Sequence, residues 1–126
     1  MKMILAIAAG GAFGAVSRHF VAAQIHHLFG NGFPWGILFV NVLGSFLMGA
    51  LVETLALAWS PGQEVRALIV VGVLGAFTTF STFSMDAVLL YERGRILAAG
   101  AYIGASVMLA VLAFFVGMRL LRVVLG

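Results

Sequence analysis

The sequence predicts an all-α membrane protein with four transmembrane helices. Of its 126 residues, 63% are hydrophobic and only 9% are charged, with a mean hydropathy of +1.18. Soluble domains carry charge on about a quarter of their residues. Three polar or Pro/Gly-containing breaks, at residues 26–34, 60–64 and 91–95, leave four apolar segments. Each segment is long enough to cross a hydrocarbon core of ~30 Å as a helix, which satisfies its own backbone hydrogen bonds in lipid.

The four helices are predicted in a single membrane domain, at approximately residues 3–25, 35–59, 65–90 and 96–122. The first begins like a signal peptide, with Lys2 ahead of an apolar run. That run continues as far as Ile25, so it predicts a transmembrane helix instead. The chain contains no cysteine, which excludes disulfides, thiolate metal sites and cysteine catalysis.

Pairs of glycines one helical turn apart occur in two of these helices. Gly10 and Gly14 lie in the first, and Gly100 and Gly104 lie in the fourth. Glycines at this spacing let helix backbones approach closely in membranes. We therefore expect both pairs to pack against neighbouring helices and assign them no direct function.

Basic residues are divided almost evenly between the two predicted sides of the membrane. The side of the termini has Lys2, Arg66, Arg119 and Arg122, and the other side has Arg93 and Arg95, with Arg18 nearby. Because cytoplasmic loops carry an excess of Lys and Arg, this weak bias allows either a fixed orientation or insertion both ways up. Dual insertion would permit an antiparallel homodimer. The basic residues never form a run, so they predict contact with lipids at the membrane boundary and no nucleic-acid partner.

The centre of the third segment is unusually polar for a transmembrane helix. Five hydroxyl-bearing residues fall within residues 78–84, just after Gly75. One or two such side chains commonly bond back to the preceding turn, but five exceed that explanation. The stretch predicts a helix broken near mid-membrane, whose freed carbonyls can bind a cation such as sodium. The sequence therefore favours ion passage over catalysis.

Two further features allow either a structural or a functional interpretation. Phe80 and Phe83 share one helical face, where they either pack or direct the positive edges of their rings at an anion. Asn41, in the apolar second segment, either bonds between helices or offers an anion two N–H donors.

The first and fourth segments contribute fewer polar residues. Tyr102 and Ser106 continue the polar theme at i, i+4 spacing, but Ala110 ends it. Arg18 either extends to lipid head groups or attracts anions to a vestibule. Glu53 and Asp86 are the deepest acids, yet each is close to a boundary, so neither is expected to carry protons across the membrane.

Three stretches resemble the Fluc (CrcB) family of bacterial fluoride channels. They are residues 10–18, 36–49 and 75–83, in that order, and the likeness extends along essentially the whole chain. The third stretch is the most specific. The resemblance implies a passive, multi-pass fluoride channel of the bacterial inner membrane. It further implies an antiparallel homodimer with two pores and one central structural sodium ion.

The resemblance also implies roles for individual residues. The backbone carbonyls of Gly75 and Thr78 from both subunits would bind sodium. The ion pathway would comprise Asn41, Phe80, Phe83, Tyr102 and Ser106, the neighbouring hydroxyls Thr79, Ser81 and Thr82, and Arg18. This sequence departs from the usual pattern at Ile37, where threonine is common, at Ala76, where many relatives have a second glycine, and at Ala110, where another hydroxyl can continue the polar track.

Two other functions compete with that of a channel. A small four-helix multidrug or cation antiporter would need a carboxylate deep in the first helix, but residues 3–17 contain no Asp or Glu. A non-conducting membrane anchor subunit would not need the polar stretch in the third segment.

Overall fold

The computed structural model describes residues 1–126 and contains four helices that are long and apolar enough to cross a membrane. They are Lys2–Phe29, Trp35–Leu57, Gln63–Glu92 and Ile96–Leu125. Only 21 of the 126 residues are buried, so most apolar side chains face outward, as expected for helices surrounded by lipid. The chain is therefore an all-helical, multi-pass membrane protein, as the sequence predicted.

Three of the four spans are continuous helices: α1 (Lys2–Phe29), α2 (Trp35–Leu57) and α6 (Ile96–Leu125). Several ends lie a few residues from the predicted ones, because the prediction followed apolar residues whereas helices continue into polar residues at the boundary. α1, for example, includes His26 and His27. Gly30 follows α1 directly, and its positive φ of 87° suits a glycine after a helix.

The third span is divided into shorter elements. These are α3 (Gln63–Arg66), a π-helical segment (Ala67–Leu74), α4 (Gly75–Phe77) and α5 (Phe80–Glu92). Between α4 and α5, the backbone is extended at Thr78 (φ −89°, ψ 157°) and at Thr79 (φ −152°, ψ 127°). These two residues with non-helical dihedral angles, called the interruption below, lie at the centre of the 30-residue span.

Gly10 and Gly14 bring α1 against the third span. A Cβ atom on Gly10 would collide with the carbonyl oxygen of Leu68, and one on Gly14 would collide with that of Val73. The prediction of close packing at this pair is therefore confirmed. The contact is between a glycine face and backbone atoms, which cannot move aside as a flexible side chain would.

Gly10→Ala should lower the thermal stability of the protein, whereas Gly11→Ala should not. Overpacking a close contact typically costs about 1–3 kcal/mol. A Cβ atom on Gly11 would meet nothing within 4 Å, and alanine favours a helix over glycine by about 1 kcal/mol. Thermal unfolding of both variants in one detergent tests this pair, and equal midpoints would contradict the packing argument.

The second close helix pair is α2 with α6. A Cβ atom on Gly49 or on Gly117 would collide with backbone carbonyls of the facing helix. By contrast, a Cβ atom on Gly100 or Gly104 would meet nothing within 4 Å. The prediction that this pair packs closely is therefore wrong within the protomer, because both glycines lie on the outward face of α6.

An ion pair between buried Glu53 and half-exposed Arg122 joins the C-terminal ends of α2 and α6. The Glu53 side chain is only 8% exposed and accepts hydrogen bonds from Arg122 Nε and Nη2 at 3.1–3.3 Å. An unpaired carboxylate would be costly to bury there, and the guanidinium offsets that cost. The pair explains how an apolar helix tolerates Glu53.

The hydrophobic core lies toward the opposite end of the bundle. Val40 and Tyr102 are completely buried within a cluster of ten residues that also includes Phe77 and Phe83. At the same end, the Arg95 guanidinium donates to the Gly32 carbonyl and ties the two loops together. Because Phe77 and Phe83 both belong to the core, the third span packs against it before and after Thr78 and Thr79.

Candidate ion-pathway site

Side chains hold the backbone at the interruption in the third span. Asn41 Oδ1 accepts a hydrogen bond from the Thr79 N–H at 2.8 Å, and Asn41 Nδ2 donates to the Thr79 carbonyl at 3.0 Å. The Thr79 hydroxyl in turn accepts from the Thr82 N–H at 3.2 Å, as the N-cap of α5. The N–H and carbonyl of Thr79 and the N–H of Thr82 therefore all have hydrogen-bond partners. Leaving such groups unpaired at membrane depth would be costly.

These contacts leave two backbone carbonyls without their helical donors. In a continuous α-helix the Thr79 N–H would bond the Gly75 carbonyl, and the Thr82 N–H would bond the Thr78 carbonyl. Both donors are instead bonded to side-chain oxygens of Asn41 and Thr79. Gly75 and Thr78 are the two residues whose carbonyls were predicted to bind sodium. Oxygen atoms are the ligands that hard cations prefer, so the residues present fit such an ion.

Arg18 contacts the same region from α1. Its Nη1 donates to the Ala76 carbonyl at 3.1 Å, and the close approach of Gly14 to Ala76 one turn earlier brings the two segments together. The neighbouring Leu74 carbonyl accepts from the N–H and the hydroxyl of Thr78, at 3.2 and 3.1 Å. A cationic side chain that binds the last carbonyls of a helix is favourable. Arg18 therefore caps the C-terminal end of α4 from another helix.

A groove of about 230 Å³ lies beside the interruption, between α2, α5 and α6. It is lined by Asn41, Ser45, Thr78, Thr79, Phe80, Phe83, Ser106, Val107 and Ala110. The groove brings together five of the nine predicted pathway residues. Ala110 adds no hydroxyl at its position, so the polar lining on α6 consists of Ser106 alone.

Aromatic rings form one wall of the groove and continue into the core. The ring centroids of Phe80 and Phe83 are 5.4 Å apart, and those of Phe83 and Tyr102 are 5.2 Å apart. Phe83 is buried, whereas Phe80 is 77% exposed on the surface of the protomer. Aromatic rings carry partial positive charge at their edges, so rings in this setting can contact an anion without binding it tightly.

Two polar hydrogens on residues that line the groove have no partner in the protein. The Ser106 hydroxyl is buried and has no hydrogen-bond partner, which is costly for an isolated polar group. The Asn41 amide carries a second N–H besides the one bonded to Thr79. An anion in the groove would accept from donors of this kind.

The other predicted pathway residues lie elsewhere. The Ser81 hydroxyl is 3.3 Å from the Thr79 hydroxyl and does not line the groove. Tyr102 is completely buried behind Phe83, and Arg18 contacts α4 from the side of α1. Of the five hydroxyls at residues 78–84, those of Thr78 and Ser84 bond back to the preceding turn, at the Leu74 and Phe80 carbonyls.

Thr82 lines a second cavity of about 310 Å³ near the 30–34 loop. The cavity is lined by His26, Asn31, Gly32, Pro34, Ile37, Thr82, Asp86, Leu89, Leu90 and Arg93. Asp86 Oδ2 accepts a hydrogen bond from the Tyr102 hydroxyl at 3.4 Å. Tyr102 thus lies between Phe83 on the groove side and Asp86 on the side of this cavity. No role was predicted for Asp86, because no spacing within one helix reveals its contact with α6.

Four apolar helices, an interrupted third span and a polar groove with an aromatic wall define a small membrane protein of the ion-transport class. The chain belongs to the CrcB family, whose model, described as CrcB-like protein, Camphor Resistance (CrcB), matches residues 5–118. The resemblance drawn from the three sequence stretches is therefore confirmed.

Relatives of nearly equal length carry a more specific name. The chain is 52% identical over 122 residues to the fluoride-specific ion channel FluC of Rhodospirillum centenum, covering 97% of each chain. It is 49% identical over 125 residues to FluC of Chelativorans sp., covering 99% of this chain and all of that one. Identity to FluC 1 of Nitrobacter hamburgensis is 48% over 120 residues, 95% of each chain.

Proposed function

We propose that this chain is a fluoride-selective passive channel that exports fluoride from the cytoplasm across the bacterial inner membrane. The groove beside the interruption carries the proposal, because it combines two aromatic rings with the unpartnered Ser106 hydroxyl and the second N–H of Asn41. These groups are weak donors to an anion. The names of relatives that share about half of its residues over nearly the whole length point to fluoride.

Selectivity follows from the size and hydration of fluoride. A small, strongly hydrated ion enters only if protein donors replace its water, and a larger halide fits such donors poorly. The ring edges of Phe80 and Phe83 also release the ion readily, which conduction requires. Because neutral HF crosses lipid and dissociates in the cytoplasm, a passive path for the fluoride ion is sufficient for export.

The functional unit that we propose is an antiparallel homodimer. Phe80 and Gly75 are exposed on the protomer, so the groove and the proposed cation ligands are open on one side. A second copy would cover them. The nearly even distribution of Lys and Arg is compatible with insertion both ways up, and a two-fold axis in the membrane plane would relate the copies.

We propose further that the third helix is broken near mid-membrane and that this break holds a structural sodium ion. Its ligands would be the Gly75 and Thr78 carbonyls of both copies. The proposal is supported by the diversion of their helical donors to the Asn41 and Thr79 side chains. A bound sodium ion would supply positive charge to these carbonyl dipoles and link the two copies.

Liposomes that contain only the purified protein should release fluoride much faster than chloride. We expect the fluoride flux to exceed the chloride flux at least tenfold. This ratio corresponds to a difference of about 1.4 kcal/mol between the free-energy barriers for the two ions. Ion-selective electrodes measure both fluxes, with protein-free liposomes as the control. Equal chloride and fluoride fluxes would contradict a fluoride channel. If well-folded protein released neither ion, the anchor-subunit alternative would be favoured.

A further inference from the structure

Arg18 carries a positive charge into the bundle without an acidic partner. Its guanidinium is partly buried and donates to the Ala76 carbonyl at 3.1 Å. The single ion pair in the structure joins Arg122 to Glu53, so no carboxylate neutralises Arg18. The charge of Arg18 is therefore balanced only by backbone dipoles at the end of α4.

This charge lies beside the proposed cation ligands. Ala76 directly follows Gly75, and adjacent Cα atoms are ~3.8 Å apart. A cation on the Gly75 carbonyl would consequently be within about one Debye length of the guanidinium, ~10 Å at 0.1 M salt. Partly buried charges at such separations are screened less than exposed ones.

We propose that Arg18 is a positioning and specificity-determining residue that restricts the cation site to monovalent ions. The inference rests on the proposed function, which assigns sodium to the Gly75 and Thr78 carbonyls. Repulsion from Arg18 is twice as large for a divalent ion as for a monovalent one. Proteins that bind calcium usually compensate its charge with carboxylates, whereas the proposed ligands here are neutral and no cluster of acidic or histidine side chains is present.

The hydrogen bond of Arg18 also limits which ligands the cation can use. The Ala76 carbonyl lies between those of Gly75 and Thr78 along the chain, and Arg18 occupies it. A bound ion is thus left with fewer carbonyls, which disfavours cations that require six to eight oxygen ligands, such as calcium. The positive charge of Arg18 and the smaller number of free carbonyls therefore both disfavour calcium relative to sodium.

The test measures the thermal unfolding midpoint of the purified protein in detergent, titrated with sodium, calcium or magnesium chloride at constant ionic strength. A ligand that binds only the folded state raises the midpoint, so apparent affinities follow from the titrations. Fluoride is left out, because calcium fluoride precipitates. In the unaltered protein, sodium should raise the midpoint and the divalent ions should not.

Two substitutions separate the charge of Arg18 from its hydrogen bond. Arg18→Gln keeps an amide donor but removes the charge, and should raise the calcium-to-sodium affinity ratio by about tenfold or more, equivalent to ~1.4 kcal/mol. Arg18→Lys keeps the charge and should retain the preference for sodium. Arg66→Gln removes an exposed arginine at the start of the third span, and its ratio should equal that of the unaltered protein.

The outcomes distinguish this inference from the proposed function. If sodium raises the midpoint of both the unaltered protein and Arg18→Gln with the same calcium-to-sodium ratio, the inference is overturned while the sodium site stands. If sodium has no effect on the unaltered protein, the sodium site fails and the inference with it. If Arg18→Gln does not fold, stabilisation of the unaltered protein by calcium as strong as that by sodium would still overturn the inference. A higher calcium-to-sodium ratio in Arg18→Gln, together with the unaltered ratio in Arg18→Lys, would support it.

Discussion

Phe83→Ile and Phe80→Ile should each reduce fluoride efflux by about 100-fold, which corresponds to ~2.7 kcal/mol in the barrier. Both rings line the groove, with centroids 5.4 Å apart. Isoleucine keeps an apolar side chain but has no positive ring edge, so an ion that gives up water there would gain no replacement contact. Efflux from liposomes at equal protein content measures the loss.

A matched substitution separates the ion pathway from general packing. Phe20 is 63% exposed on α1 and does not line the groove, so Phe20→Ile should conduct at the unaltered rate. All three variants should elute from a sizing column at the same volume, because the two-fold assembly is expected to persist. Normal efflux from both groove variants would mean that Phe80 and Phe83 serve only to pack α5.

The four spans were predictable because hydrophobic length is a local property of the sequence. The π-helical segment Ala67–Leu74 was not, since its i to i+5 hydrogen bonds have no counterpart in apolar periodicity. Glycine spacing likewise predicted close packing but not its location. The Gly10 and Gly14 pair meets the third span, whereas the Gly100 and Gly104 pair has the same spacing and meets nothing within the protomer.

Five of the nine predicted pathway residues line the groove, but the hydrogen bonds around it could not be predicted. Asn41 and Thr79 are 38 residues apart, and Arg18 and Ala76 are 58 apart. Contacts at such separations depend on which helices pack together, and a single sequence contains no direct signal for that. Arg18 illustrates the difference, because either a head-group contact or a vestibule charge was expected, whereas its observed partner is a backbone carbonyl.

Asn41→Leu should abolish most fluoride efflux and also destabilise the protein. Leucine has a similar volume but removes the amide that bonds both the N–H and the carbonyl of Thr79. Each buried backbone group left unpaired costs about 1–3 kcal/mol. The Thr79 N–H would then be free to bond the Gly75 carbonyl as in a continuous helix. We expect efflux to fall by about 100-fold or more and the stabilisation by sodium to be lost with it.

Asn41→Asp distinguishes the two roles of this side chain. One carboxylate oxygen can still accept from the Thr79 N–H, but the other cannot donate to the Thr79 carbonyl, and its charge opposes an anion in the groove. Efflux should therefore fall as far as in Asn41→Leu, while sodium still raises the unfolding midpoint. Thr54→Val is the control on α2, because the Thr54 hydroxyl bonds only the preceding turn, at the Ala50 carbonyl. Unaltered efflux from Asn41→Leu would contradict a pathway that depends on this amide. Loss of the sodium response in both Asn41 variants would mean that the Thr79 carbonyl bond, rather than the N–H bond, maintains the interruption.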